Sequence, residues 1–158
     1  MKYKSLVITG NLKKDFSRLI ELIYINIDLL PKPILIQYGH SIIKNFNQYN
    51  DQIEYKKFID NKNVLLIMKE VDVIVAHCGA GIILEALSNE KKPYIVPRKK
   101  KFNEHIDDHQ TELYDLFIEK NLIFDLNDLK NNNKKLFNKN SIKNKNINIY
   151  IKKFIDEI

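Results

Sequence analysis

Short aliphatic runs alternate with amphipathic helical segments along most of this chain, and that alternation restricts the fold more than any other feature. Strand-like runs rich in aliphatic residues lie at residues 5–9, 33–37, 71–76 and 93–96. Strands separated by helices pair in parallel, and helices then cover both faces of the sheet. The sequence therefore predicts an α/β fold with a Rossmann-like, doubly wound and mostly parallel sheet.

The connecting segments show helical periodicity. After the first run, apolar residues recur on one helix face until Pro31 and Pro33 end the pattern. These residues are Phe16, Leu19, Ile20, Ile23, Ile27 and Leu30. Further helices are predicted at residues 62–71, 82–88 and 105–120, a short strand at 122–124, and residues 53–58 are compatible with another strand.

Size and composition exclude several classes of protein. A chain of 158 residues has room for one ordinary domain. The single cysteine, Cys78, cannot form an internal disulfide, so a disulfide-rich secreted scaffold is excluded and a cytoplasmic location is expected. Charged residues interrupt every apolar stretch before it reaches the roughly 20 residues that span a bilayer. The net charge of +6 favours anionic partners.

The composition changes near the end of the chain. Residues 1–130 are predicted to form the α/β domain, and residues 131–158 a Lys/Asn-rich segment followed by an amphipathic helix. The apolar side of that helix would carry Ile147, Ile151, Phe154, Ile155 and Ile158. Two interpretations stay open, since the helix could pack on its own sheet or contribute to a subunit interface.

Glycines follow three of the predicted strands. In an open parallel sheet, ligands bind beyond the carboxyl ends of the strands. Gly10 and Asn11 follow the first strand, Gly39 the second, and His77-Cys-Gly-Ala-Gly81 the third. Glycine lets backbone N–H groups approach a ligand, and a helix that begins there directs its positive end at phosphate. The third loop is a candidate diphosphate site, although a strand-to-helix turn often needs a glycine for its own geometry.

Polar side chains near this loop suit a nucleotide ligand. His77 could donate a hydrogen bond to phosphate and, if protonated, add positive charge. Glu85, one turn into the next helix, could accept hydrogen bonds from two ribose hydroxyls. Arg98, in the basic cluster at residues 98–101, could fork two phosphate oxygens. The alternatives are a structural histidine, a surface carboxylate and a solvated basic face.

His105 and His109 would share a helix face at a spacing of four residues. Such a pair can bind a metal, but no carboxylate or cysteine accompanies it at ligand spacing. We therefore expect no metal and no other cofactor.

Three segments together resemble a known family. Residues 71–87, 92–98 and 104–110 resemble the donor-binding half of the GT-B glycosyltransferases of family 28. They are similar to the small subunit of split UDP-sugar transferases, which include the eukaryotic dolichol-linked N-acetylglucosaminyltransferase catalytic subunit and bacterial exopolysaccharide and capsule counterparts. The resemblance covers nearly the whole chain and is weakest at residues 45–61 and beyond residue 131.

The resemblance implies a single GT-B half that binds a UDP-sugar. By position, His77, Gly79 and Gly81 would line the diphosphate site and Glu85 would hold the ribose. Gly10 and Asn11 would approach the same phosphates, and Asp108, His109 and Gln110 would contact the sugar hydroxyls. Ile82 and Ile83 stand where many relatives have Ser or Thr, so backbone N–H groups would carry more of the phosphate binding.

The expected activity is inverting transfer of a sugar from a UDP-sugar to a lipid-linked saccharide in surface polysaccharide synthesis. A GT-B site forms between two domains, and this length suits one. A membrane-anchored partner subunit would then supply the acceptor-binding half and hold the protein at the inner membrane face. The alternative is a non-catalytic accessory that enhances such a transferase.

Nucleic acid is not expected as a partner, because aromatic platforms interleaved with basic residues are missing. The catalytic base and the sugar stay unassigned.

Overall fold

The computed structural model describes residues 2–44 and 51–136, with the side chains of 133–136 excepted. Its six strands are β1 Ser5–Ile8, β2 Ile34–Gln37, β3 Ile53–Lys56, β4 Val73–His77, β5 Tyr94–Val96 and β6 Phe124–Asp125. They form one sheet in the order β3-β2-β1-β4-β5-β6, and every neighbouring pair is parallel. The predicted doubly wound parallel sheet is confirmed.

Helices connect the strands. They are α1 Ser17–Ile25, α2 Asn61–Glu70, α3 Ala80–Ser88, α4 His109–Glu119 and α5 Leu129–Leu136, with short 3-10 turns at Ile27–Leu29, Lys100–Phe102 and Leu126–Asp128. None of the helices within the described ranges combines the length and apolar composition that spanning a bilayer requires.

Both faces of the sheet are buried because successive strand residues point to opposite sides. Leu6 and Ile8 of β1 pack with one apolar cluster, which includes Met68 of α2, Ile83 of α3 and Phe117 of α4. The intervening Val7 packs with a second cluster, which includes Leu19 and Ile23 of α1 and Leu129 of α5. The sheet is therefore covered by α2, α3 and α4 on one face and by α1 and α5 on the other.

The first predicted helix is interrupted earlier than its apolar pattern suggests. All six residues of that pattern are buried, but α1 ends at Ile25 and a 3-10 turn follows. Asn26 leaves the helical conformation, and its side-chain amide donates to the carbonyl oxygen of Leu22. An asparagine that bonds to the backbone in this way competes with helix continuation, so the same apolar face is completed by a different turn.

The start of α4 corrects a second prediction. The helix begins at His109 instead of His105. Asp107 Oδ1 accepts from the backbone N–H of His109, and Asp108 Oδ1 accepts from that of Lys100. These side-chain bonds hold the preceding residues in turns. His105 and His109 therefore do not share a helix face.

Towards the end of the described chain, β6 begins at Phe124, later than the predicted strand at 122–124. Helix α5 then starts at Leu129, whose side chain is buried, and extends to Leu136, into the Lys/Asn-rich segment. The helix predicted from Ile147 to Ile158 lies outside the described residues, as do residues 45–50.

The strand order locates the crevice at which ligands bind in such sheets. From β1 the chain proceeds outward through β2 and β3, and then returns to the other side of β1 to form β4. This reversal is a topological switch point, and the loops that follow β1 and β4 separate there in opposite directions. The loops predicted to bind phosphate therefore lie side by side.

Candidate functional site

A small pocket opens at the switch point, beyond the carboxyl ends of β1, β2 and β4. Its volume is about 100 Å³, and it is lined by Ile8, Gly10, Asn11, Gln37, Ile59, Asn61, Val64, His77 and Ile82. Sequence reasoning had predicted Gly10, Asn11 and His77 as site residues. It did not predict the contribution of β2 and α2, because that depends on which strand lies next to β1.

The imidazole of His77 lies between two glycines. Gly10 has a φ of +87°, which favours glycine, and a Cβ atom there would lie 2.7 Å from Nε2 of His77. A Cβ atom at Gly79 would overlap Cε1 of the same ring. Both glycines are therefore required by the position of one side chain, in addition to any role in a turn.

His77 has an unsatisfied polar atom. Its Nδ1 is buried and has no hydrogen-bond partner among the described residues. Burial lowers the pKa of His77 to about 4, and the positive charges of Arg98 and His105 act in the same direction. The imidazole is thus neutral at pH 7, so the positive charge that a protonated His77 would add is not expected there. A neutral imidazole still offers one N–H donor and one acceptor.

The first turn of α3 faces open space. Gly79 is the N-cap residue, and no side chain caps this end of the helix. A Cβ atom at Gly81 would meet nothing within 4 Å. Glycine inside a helix costs about 1 kcal/mol relative to alanine, and packing gives no reason for it here. The exposed helix end and the open space above Gly81 suit the approach of an anionic group.

Asn11 is oriented by the neighbouring strand. The amide of Gln37 donates to Asn11 Oδ1 at 3.1 Å, which leaves the Asn11 amide N–H groups for other partners. Gly39, with a φ of +56°, brings the loop after β2 against the loop after β1, since a Cβ atom there would lie 2.5 Å from the carbonyl oxygen of Gly10. The pocket wall is therefore built from two interlocked loops.

Glu85 and Arg98 are not brought to the pocket. The Glu85 side chain is exposed on α3 and does not line the pocket. Arg98 is only 1% exposed, and its guanidinium donates to the carbonyl oxygens of Thr9 at 2.8 Å and Glu104 at 3.0 Å. A guanidinium used in this way is not free to fork two phosphate oxygens, so that interpretation of Arg98 is corrected.

The three residues predicted to contact the sugar lie at the start of α4, outside the pocket lining. Gln110 Oε1 accepts from the backbone N–H of Arg98, and Asp108 holds the backbone of Lys100. The His109 side chain is 77% exposed, and its pKa is raised by a hydrogen bond to Glu112 and by the charge of Asp107. Two of the three thus support the loop after β5, and their contact with a sugar stays a prediction.

Comparison with known proteins connects this geometry to a family. One solved structure, described as a crystal structure analysis of the glycotransferase of kitacinnamycin, is 15% identical and superposes with a TM-score of 0.55 over 80% of this chain. The match covers 31% of that protein, so our chain spans about a third of its length. This likeness shows the fold alone, and no curated protein matches the sequence.

The family model of the glycosyltransferase family 28 C-terminal domain matches residues 6–157, which is almost the entire sequence. The match includes every residue of the pocket, and it agrees with the single parallel sheet. The chain therefore belongs to the glycosyltransferase family 28 C-terminal domain family.

Proposed function

We propose that this chain is the UDP-sugar-binding half of an inverting glycosyltransferase. Membership of the family supports sugar transfer in general. The observation that carries the proposal is the buried, unpartnered Nδ1 of His77 in a pocket beside the N-terminus of α3. An unsatisfied buried polar atom costs free energy, and a bound ligand that satisfies the imidazole would recover it.

The same groups suit the chemistry of the leaving nucleotide. Transfer from a sugar diphosphate builds negative charge on the departing UDP, and preorganised donors at that position lower the barrier. The N–H groups at the start of α3 and the neutral imidazole of His77 supply such donors. Gly81 leaves the space through which a phosphate could reach them.

The pocket encloses only part of such a ligand. Binding sites for small molecules usually occupy about 300–1,000 Å³, whereas this pocket occupies about 100 Å³. Its walls are the apolar side chains of Ile8, Ile59, Val64 and Ile82, and its polar side chains other than His77 are amides. We therefore place the diphosphate at α3 and an uncharged part of the donor in the pocket, with the remaining surface contributed by an acceptor-binding half.

That second half is proposed to be a membrane-anchored partner subunit, which would bind a lipid-linked saccharide acceptor in surface polysaccharide synthesis. The protein would then be peripheral at the inner membrane face. The net charge of +6 and the exposed lysines at positions 100 and 101, in the loop after β5, suit anionic acceptors and headgroups.

Isothermal titration calorimetry with UDP, UMP and uridine tests the donor site. We expect UDP to bind more tightly than uridine, and His77→Ala to lower UDP affinity by about tenfold, the value of one hydrogen bond to a charged group. His40→Ala is the matched control, because His40 is exposed on the adjacent loop and does not line the pocket. Equal affinity for UDP and uridine would contradict a diphosphate site.

Transfer assays with and without the partner test whether this chain needs a second subunit for activity. We expect little transfer from the isolated chain and recovery on co-expression with the partner. Full activity of the isolated chain would refute the two-subunit proposal.

A non-catalytic accessory is the second candidate. It is favoured by Ile82, which lines the pocket where a hydroxyl could have contacted phosphate, and by the position of Glu85 outside the pocket lining. His77→Ala in the assembled complex separates the two. Transfer is lost if this chain binds the donor and is retained if it only enhances its partner.

A further inference from the structure

Arg98 carries a buried charge that pairs directly with no carboxylate among the described residues. Glu104, the acidic group whose charge acts most strongly on Arg98, is itself buried and accepts from the guanidinium of Arg18 with both carboxylate oxygens, each at 2.8 Å. Glu104 also accepts from the backbone N–H of Lys99. A charge buried this way is costly unless hydrogen bonds compensate it, so the bonds that Arg98 makes identify its role.

Those bonds join two loops. In the loop after β1, Arg98 donates to the carbonyl oxygens of Thr9 at 2.8 Å and Lys14 at 3.3 Å. In the loop after β5, it donates to that of Glu104 at 3.0 Å. The guanidinium also lies 4.5 Å from the ring centre of Phe16. A planar fork can span three carbonyl groups and stack on a ring, and a lysine ammonium cannot reproduce that geometry.

The loop that Arg98 fixes is the one that contacts His77. Thr9 immediately precedes Gly10, whose missing side chain leaves room for the imidazole. The two carbonyl groups that Arg98 binds lie on either side of the segment that contains Gly10 and Asn11. The position of this segment relative to His77 therefore depends on a side chain that does not line the pocket.

We propose that Arg98 is a positioning residue that holds the Gly10 and Asn11 segment against His77 and so sets the shape of the pocket before a ligand binds. Its importance for UDP rests on the proposed function, but its effect on the ligand-free protein does not. In addition, its positive charge helps to keep His77 neutral.

Nuclear magnetic resonance of the ligand-free full chain tests the proposal, with Arg98→Lys and Arg98→Met compared with the wild type. Lys101→Met is the matched control, since it removes an exposed charge from the same loop. In both Arg98 variants we expect the amide signals of Gly10 and Asn11 to shift. Hydrogen exchange at the Thr9 amide, which donates to the carbonyl oxygen of Gln37, should accelerate by about tenfold or more, the value of a hydrogen bond to a charged group. In Arg98→Met the pKa of His77 should rise. The control should leave all three readouts unchanged.

A UDP titration of the same variants then separates positioning from direct contact. If the loop signals of both Arg98 variants match the wild type in the ligand-free state while UDP affinity falls, Arg98 is a direct ligand and the proposal is wrong. Unchanged loop signals with unchanged affinity also overturn it. Should Arg98→Met fail to fold, Arg98→Lys retains the charge and still reports the loop. If the wild type does not bind UDP, the proposed function fails, whereas altered loop signals would still support the positioning role.

Discussion

Two neighbouring regions at the carboxyl edge of the sheet satisfy their polar groups very differently. Around His77, a buried ring nitrogen has no described partner and the adjacent helix end lacks a side-chain cap. Around Arg98 and Glu104, the charged groups have partners. Arg98 donates to the carbonyl oxygens of Thr9 and Glu104, and the Glu104 carboxylate accepts from Arg18. The first region leaves a buried polar atom without a described partner, whereas the charged groups of the second region have described partners. Buried polar groups are usually satisfied in folded proteins, so the contrast makes His77 the better candidate for contact with a ligand.

The largest expected effect comes from disrupting the charged network around Arg98 and Glu104. Glu104→Ala removes the buried carboxylate that pairs with the partly exposed Arg18, and its loss should lower the free energy of unfolding by about 3 kcal/mol. Glu21→Ala is the matched control, because its pair with Lys44 is exposed and spans 3.7 Å. It should cost less than about 1 kcal/mol. Urea denaturation measures both, and equal losses would mean that the network is no more important than a surface pair.

Acid should lower the stability of the protein through His77. The pKa of His77 is about 4 in the folded protein, below the value of about 6.5 expected when unfolded. Between these values the unfolded chain binds the proton, so the free energy of unfolding should fall as pH drops from about 6.5 towards 4, by at most about 3 kcal/mol. His77→Gln should flatten the pH profile in this window. If the profiles of the variant and the wild type run parallel, His77 is not held neutral by the fold.

Gly79→Ala should disturb the ring of His77 directly. The added methyl group would overlap Cε1 of the imidazole, and overpacking of this kind costs about 1–3 kcal/mol. UDP affinity should fall as well, since the ring must leave its position. Thermal unfolding and calorimetry measure the two effects. A variant with wild-type stability and affinity would show that the glycine does not serve the imidazole.

Gly81→Ala should cause the smallest change in stability of these four variants. Nothing lies within 4 Å of a Cβ atom there, so alanine should stabilise α3 by about 0.5–1 kcal/mol. We expect UDP binding to weaken at the same time, because the methyl group occupies the space kept for the ligand. Higher stability with unchanged affinity would mean that no ligand group approaches Gly81.

Much of the fold could be predicted from the sequence because strand and helix patterns are local. The buried strands and the six apolar residues around α1 follow from periodicity alone. The start of α4 was misplaced because the side-chain bonds of Asp107 and Asp108 to the backbone are not visible in an apolar pattern. Strand order, which decides that β2 lies beside β1, depends on contacts between distant parts of the chain.

The candidate site was predictable where glycines mark a strand end, as at Gly10 and His77. It was not predictable where chemistry depends on orientation. Arg98 has the right charge for phosphate, but its neighbours are the carbonyl groups of two loops. Gln37 and Asn61 gave no signal, because isolated amides occur throughout such a chain and only the fold brings them to the pocket.

The two glycines that lie close to the His77 ring also bear on the entropy and kinetics of ligand binding. Both glycines bring bare backbone close to the imidazole, since a Cβ atom at Gly10 would lie 2.7 Å from Nε2 and one at Gly79 would overlap Cε1. A side chain that the surrounding backbone already positions loses little conformational entropy when a ligand docks on it. Ligands of this pocket should consequently be discriminated by the fit of their atoms to a rigid surface, with rapid association and with differences in affinity expressed mainly as differences in residence time.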